Sequence, residues 1–104
     1  MSLVSTEIQR MLPQMRSYFA SQPINRAWLF GSCSRGEETA DSDIDILVEY
    51  DQNARISLFT ISRITQGIKQ ILNRPVDLVE DGCLLPFAAD SVLQDRILIY
   101  ERKN

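Results

Sequence analysis

Apolar positions along this chain change period several times, and each change marks an element. Leu3, Ile8, Met11, Leu12, Met15 and Phe19 recur at three- and four-residue spacing, which predicts a helix from Leu3 to about Ser21. Pro13 falls inside it, so a kink or a late start is expected there. Gln22-Pro23-Ile24-Asn25 reads as a break. Arg26 to Phe30 is a short apolar run closed by Gly31, a first strand. Ser34 to Glu38 fits a short helical turn, and Thr39-Ala40-Asp41-Ser42 a loop. Asp43 to Tyr50 carries the clearest alternation in the chain: Ile44, Ile46 and Val48 share one face, Asp43, Asp45 and Leu47 the other.

Beyond the turn Asp51-Gln52-Asn53-Ala54 the helical period returns. Leu58, Ile61, Ile64, Ile68, Ile71 and Leu72 predict an amphipathic helix from Ser57, a candidate cap, to about Leu72. Asn73-Arg74-Pro75 ends it, and Val76-Asp77-Leu78-Val79 is a brief strand. Asp81-Gly82 turns the chain into a helix from Leu84 to about Gln94, with Pro86 near its start. Arg96 to Glu101 supplies a last strand. Strands alternating with helices indicate a sheet covered by helices.

Composition narrows the function classes. At 104 residues, 44% hydrophobic and 24% charged, the chain has the size and balance of one soluble globular domain, expected to span residues 1–104. No apolar run is long enough to cross a bilayer, and the first residues lack a signal core, so a cytoplasmic location with no membrane contact is expected. There is no histidine, which removes histidine bases and histidine-containing zinc sites. Cys33 and Cys83 are far apart without a CxxC partner and read as free thiols.

Charge is uneven. The net charge is −3, yet Arg35 to Asp51 holds seven acidic residues against one basic residue. Such a segment repels phosphate unless a cation intervenes, so direct nucleic-acid binding is not expected.

That acidic segment holds the candidate chemistry. Asp43 and Asp45, two apart on a strand, face the same side. Strand ends also carry aspartate for structural reasons alone. The third carboxylate, Asp77, changes the weighing. A strand–helix–strand unit sets its two strands parallel, so Asp77 can stand beside the pair. Three convergent carboxylates repel one another unless a divalent cation joins them, and an all-oxygen ligand set favours Mg2+ or Mn2+. Gly31 lets the backbone approach a ligand closely, and Ser32 with the following amides can contact phosphate.

Arg35 can bind phosphate or pair with Glu38 or Asp41. Trp28 and Phe30 read as core rather than as a base-stacking platform. Arg63, Lys69 and Arg74 read as a solvated helix face. Gly31 to Gly36 has P-loop spacing, but Glu37 stands where lysine is needed. Asp41-x-Asp43-x-Asp45 begins like an EF-hand loop, but Ile46 and Gln52 occupy its glycine and glutamate positions. Cys33 has no histidine to activate it as a nucleophile.

Three ordered segments carry a resemblance. Gly31-Ser32-x-x-Arg35-Gly36, Ser42-Asp43-Ile44-Asp45-Ile46-Leu47-Val48 and Pro75-Val76-Asp77-Leu78-Val79 resemble the minimal nucleotidyltransferases of the DNA polymerase beta-like superfamily. The likeness runs from about Arg26 to Arg102. Ser34, where many members carry alanine, is a small departure.

The resemblance implies a two-layer α/β nucleotidyltransferase fold, with a mixed sheet of about four strands and helices mainly on one face. It implies ATP or another nucleoside triphosphate as donor and Mg2+, two ions, as cofactor, with Mn2+ as the substitute. Asp43, Asp45 and Asp77 become catalytic metal ligands, and Gly31, Ser32 and Arg35 nucleotide-binding residues. Larger relatives carry an extra helical domain for the acceptor. Short ones are commonly encoded beside a HEPN-domain toxin, and some act as antitoxins by transferring AMP to a toxin tyrosine. The leading expectation is therefore an AMPylating antitoxin. The alternatives are a module that neutralises a partner by contact alone, and transfer to a small molecule.

Overall fold

The computed structural model describes residues 6–31, 43–80 and 96–102. Helix α1 is Thr6–Ala20, strand β1 Ile24–Phe30, β2 Ile44–Tyr50, helix α2 Leu58–Leu72, β3 Val76–Glu80 and β4 Ile97–Glu101. The strands form one sheet in the order β3-β2-β1-β4. β1 is antiparallel to both β2 and β4, while β2 and β3 run parallel. The mixed four-stranded sheet expected from the sequence is therefore present. The parallel pair arises where a helix, α2, carries the chain from β2 to β3.

Both helices cover one face. Ile8, Met15 and Phe19 of α1 and Ile64, Ile68 and Leu72 of α2 are buried against Ala27, Leu29, Ile44, Ile46, Val48, Tyr50 and Ile99. Fully burying a side chain of this kind contributes about 1.5–3 kcal/mol. Tyr100 joins from β4, its ring centroid 5.6 Å from that of Phe19. Strand alternation leaves Asp43, Asp45 and Leu47 on the other face, with Trp28 and Asp77.

Helix boundaries follow from local chemistry. Ser57 caps α2: its hydroxyl accepts from the Thr60 amide at 3.2 Å, and the Thr60 hydroxyl accepts from the Ser57 amide at 3.4 Å. Asn73, at φ 55°, ψ 39°, closes the helix in the left-handed conformation, its amide bonded to the Lys69 carbonyl. Gly67 gives α1 close approach to α2: a Cβ there would overlap the phenol of Tyr18.

Some expectations need correction. Helix α1 runs from Thr6 through Pro13, so the late start does not occur. Proline lacks the donor for one helical bond, and the burial of Ile8, Met15 and Phe19 on both sides of it offsets that loss. The break before β1 is shorter than expected. Ile24 is fully buried and pairs with Tyr50, so the strand begins two residues before Arg26. Arg102 fixes this corner by donating to the carbonyls of Gln22 and Ile24. Lys69 and Arg74 are half-buried rather than solvated; Arg63 is exposed and donates to the Gln22 side chain. The helical turn expected at Ser34 to Glu38, the helix at Leu84 to Gln94, and both cysteines lie outside the described residues. No helix among the described residues is long and apolar enough to cross a membrane.

Candidate active site

Register assembles the candidate site. In the antiparallel pair, Phe30 of β1 lies opposite Asp45 of β2. In the parallel pair, Asp45 lies beside Asp77 of β3. The Ile44 amide donates to the Pro75 carbonyl at 2.9 Å and pins the start of that ladder. Asp43 immediately precedes β2, and strand parity continued to it puts it on the side of Asp45. Three carboxylates thus share one face at the C-terminal end of β1 and the N-terminal ends of β2 and β3.

The site sits above an apolar band. One step down the strands, Leu98, Trp28, Leu47 and Val79 lie side by side across the four strands. Leu47 is fully buried and Trp28 nearly so, although both face away from the helices. A further step down, Arg26 bridges Glu49 at 3.0 Å and Glu101 at 2.6 Å. These pairs hold the Arg26 guanidinium above its ordinary pKa, with the Glu101 hydrogen bond as the largest cause. The face away from the helices is therefore banded: carboxylates at one end, an apolar belt, then a salt-bridged triad.

Gly31 backs the carboxylates. It has φ +68°, a conformation that side chains with a Cβ adopt at a cost. A Cβ on Gly31 would lie 2.5 Å from Oδ2 of Asp45. The glycine therefore serves the turn and makes room for the carboxylate together.

The structure brings Gly31, Asp43, Asp45 and Asp77 to one sheet end. Ser32 and Arg35 lie outside the described residues. Asp45 is half-buried; Asp43 and Asp77 are exposed. An all-carboxylate donor set on one face fits a hard divalent cation in its chemistry. Among the described residues, however, no three acidic or thiol side chains close on a single point as a finished metal site. The register sets the carboxylates on one face without bringing them to one point.

Trp28 is buried as the sequence reading has it, and Phe30 corrects that reading. Trp28 is buried, but on the carboxylate face and outside the helix-covered core. Phe30 is only half-buried and occupies the row of Asp45. Sequence reasoning missed Arg96, whose guanidinium carbon lies 4.3 Å from the centroid of the Trp28 ring. Its signal was parity: Arg96 precedes Leu98 by two and so shares that residue's face.

Comparison with known proteins gives a consistent family. The profile of the polymerase beta nucleotidyltransferase domain matches residues 14–104. The chain is 38% identical over 72 residues to a provisionally named protein adenylyltransferase of Methanocaldococcus jannaschii, covering 68% of this chain and 72% of that one. It is 31% identical over 86 residues to the protein adenylyltransferase MntA of Thermococcus cleftensis, covering 83% and 82%. A solved structure provisionally named a minimal nucleotidyltransferase superposes with a TM-score of 0.76 at 29% identity, over 93% of this chain and 95% of that one. A more distant likeness, of fold alone, is to a Shewanella oneidensis complex of a tri-AMPylated HEPN toxin with its MNT antitoxin. There the TM-score is 0.66 at 19% identity, over 90% and 72%.

Proposed function

We propose that this chain, which belongs to the polymerase beta nucleotidyltransferase family, transfers AMP from ATP to a tyrosine of a HEPN-type toxin and so acts as its antitoxin. The observation that carries the reading is the placement of Asp45 beside Asp77 in the parallel ladder, with Asp43 two residues away on the same face. Support for the acceptor comes from the relative named a protein adenylyltransferase and from the fold shared with the antitoxin of the tri-AMPylated toxin complex.

Asp43, Asp45 and Asp77 would hold Mg2+, which when bound neutralises the triphosphate and stabilises the attacking and leaving oxygens. The residues of this chain do the rest. Gly31 keeps the turn after β1 low enough to admit the phosphates, and Ser32 and Arg35, which follow it, bind them. Asp77 lies on an edge strand and is exposed, so an acceptor arriving over that edge meets it first. It takes the hydroxyl proton as the acceptor oxygen bonds to the α-phosphorus. The bond from that phosphorus to the bridging oxygen breaks, and pyrophosphate leaves with the electron pair.

The test is intact mass spectrometry of the toxin partner after incubation with this chain, Mg2+ and ATP. A gain of one or more AMP units, lost with Asp43→Asn or Asp77→Asn of unchanged circular dichroism, is expected. Normal transfer by either variant would reject the assignment. One observation favours a second reading, neutralisation by contact. Leu58 and Phe59, at the start of α2, are 83% and 88% exposed, which is apolar surface of the kind protein interfaces bury. Full neutralisation by Asp43→Asn, lost with Phe59→Asp, would favour that reading.

A further inference from the structure

We infer that Arg96 is a phosphate-binding residue of this site, held in reserve on the face of Trp28, and that it grips the polyphosphate tail of the donor nucleotide. The inference rests on the nucleotidyltransferase reading and extends it to a residue outside the three motifs.

Position comes first. Leu29 pairs with Ile97 and Trp28 with Leu98. Continuing that register one residue places Arg96 beside Phe30, whose other neighbour is Asp45. One row across the sheet end therefore reads Arg96, Phe30, Asp45, Asp77. Adjacent strands lie about 4.8 Å apart, so Arg96 stands about 10 Å from Asp45 at the backbone. Gly31, the turn that would admit the phosphates, lies next to Phe30 between them. A triphosphate whose α-phosphate is held at the carboxylates and whose tail crosses Gly31 ends near Arg96.

Charge state comes second. Arg26 and Arg96 are the arginines on this face among the described residues. Arg26 is neutralised by Glu49 and Glu101. Arg96 lies on an aromatic ring, and no carboxylate among the described residues pairs with it. A cation on a ring face is held in place by the ring quadrupole while the N–H donors around its rim stay available. Guanidinium donors match phosphate oxygens bidentately. Among the described residues at this carboxylate-rich end, Arg96 is a cation that can meet a terminal phosphate without leaving an ion pair with a described carboxylate.

The experiment uses the full chain. Trp28 is the single tryptophan, so its emission reports directly on the guanidinium stacked over it. Binding of ATP, ADP, AMP and adenosine, each with Mg2+, is followed by Trp28 fluorescence and by calorimetry for the wild type, Arg96→Ala and Arg96→Lys. ATP is expected to change Trp28 emission in the wild type, and adenosine is not. Arg96→Ala should bind ATP about ten- to a hundredfold more weakly, as loss of a charge-assisted phosphate contact implies, with adenosine affinity unchanged. Arg96→Lys should recover part of the loss, since it restores the charge but not the fork.

Equal ATP affinity in Arg96→Ala overturns the inference. So does a matching loss for adenosine, which would mark Arg96 as a structural clamp between β4 and β1. An unchanged ATP affinity with a raised acceptor KM overturns it too, because Arg96 would then contact the acceptor rather than the donor's phosphates. If ATP binds and is transferred equally by wild type and Arg96→Ala, the nucleotidyltransferase reading stands and this inference falls. If the folded wild type binds no nucleotide, both fall.

Discussion

Replacing Gly31 with alanine tests how the turn and the carboxylate are coupled. The substitution has two separable costs. One is conformational: at φ +68° an L-residue with a Cβ is disfavoured by about 1–2 kcal/mol. The other is steric. The new methyl would sit 2.5 Å from Oδ2 of Asp45, so the carboxylate must rotate away. Forcing that side chain off its rotamer costs about 0.5–1.5 kcal/mol. The two together come to about 1.5–3.5 kcal/mol, or a fall in melting temperature on the order of 10 °C for a chain of this size. The assay is a double-mutant cycle by urea unfolding. In an Asp45→Ala background the nearest remaining atom, the Cβ of residue 45, is 3.6 Å away, an ordinary contact. There, Gly31→Ala should cost only its conformational share, leaving a coupling of about 0.5–1.5 kcal/mol. A cost that is identical in both backgrounds would refute the claim that Gly31 is small for the sake of Asp45. Nucleotidyl transfer should fall far more than stability does, because the displaced group is a proposed metal ligand.

Other predictions address the scaffold. Ser57→Ala removes the half of the α2 capping box made by its hydroxyl, leaving the Ser57 amide on the Thr60 hydroxyl, and should cost about 1 kcal/mol by urea unfolding, with Ser57→Asp close to neutral. Gly67→Ala should destabilise although alanine is the better helix former, because the methyl meets Tyr18. In a Tyr18→Ala background the sign should reverse, to a gain of about 1 kcal/mol. Burial, then the nearby Glu80 charge, pushes the Tyr50 phenol up to about 12 from 10.0. The unfolded chain therefore gives up this proton first. The contribution is complete below pH 10 and is lost as pH rises from there through about 12, which Tyr50→Phe should flatten in urea titrations across that range.

The parts legible in the sequence are those set by local period and caps. Helix α2 appears where Ile64, Ile68 and Leu72 repeat, between Ser57 and Asn73, because both caps act through neighbouring backbone. The face of Asp43 and Asp45 followed from strand parity, and Asp77 beside them from the geometry of a strand–helix–strand unit. What escaped depends on residues distant in sequence. Ile24 belongs to β1 because Tyr50 pairs with it and Arg102 fixes the preceding corner, 78 residues further on. Trp28 reads as core by composition, and it is buried. Which side it is buried on follows from the register of β1 against β2 and β4. The same register joins Arg96 to the site face; its parity with Leu98 is local, but which face Leu98 takes is set by the pairing of β4 with β1. Lys69 reads as solvated from its charge, yet tertiary packing leaves it half-buried.

The pairing of Asp45 with Asp77 makes the site a reading frame written in space. Side chains alternate across β3, so a one-residue insertion between Val76 and Asp77 could not be absorbed by sliding. It would turn Asp77 toward the helices and Leu78 outward. Burying a charge and exposing an apolar residue both oppose such a slip, so the forces that stabilise the core also proofread the alignment of the carboxylates. Descendants of this chain are free to exchange one apolar core residue for another, and to lengthen connections away from these strands. A single-residue change of length inside β2 or β3 would cost fold and chemistry together.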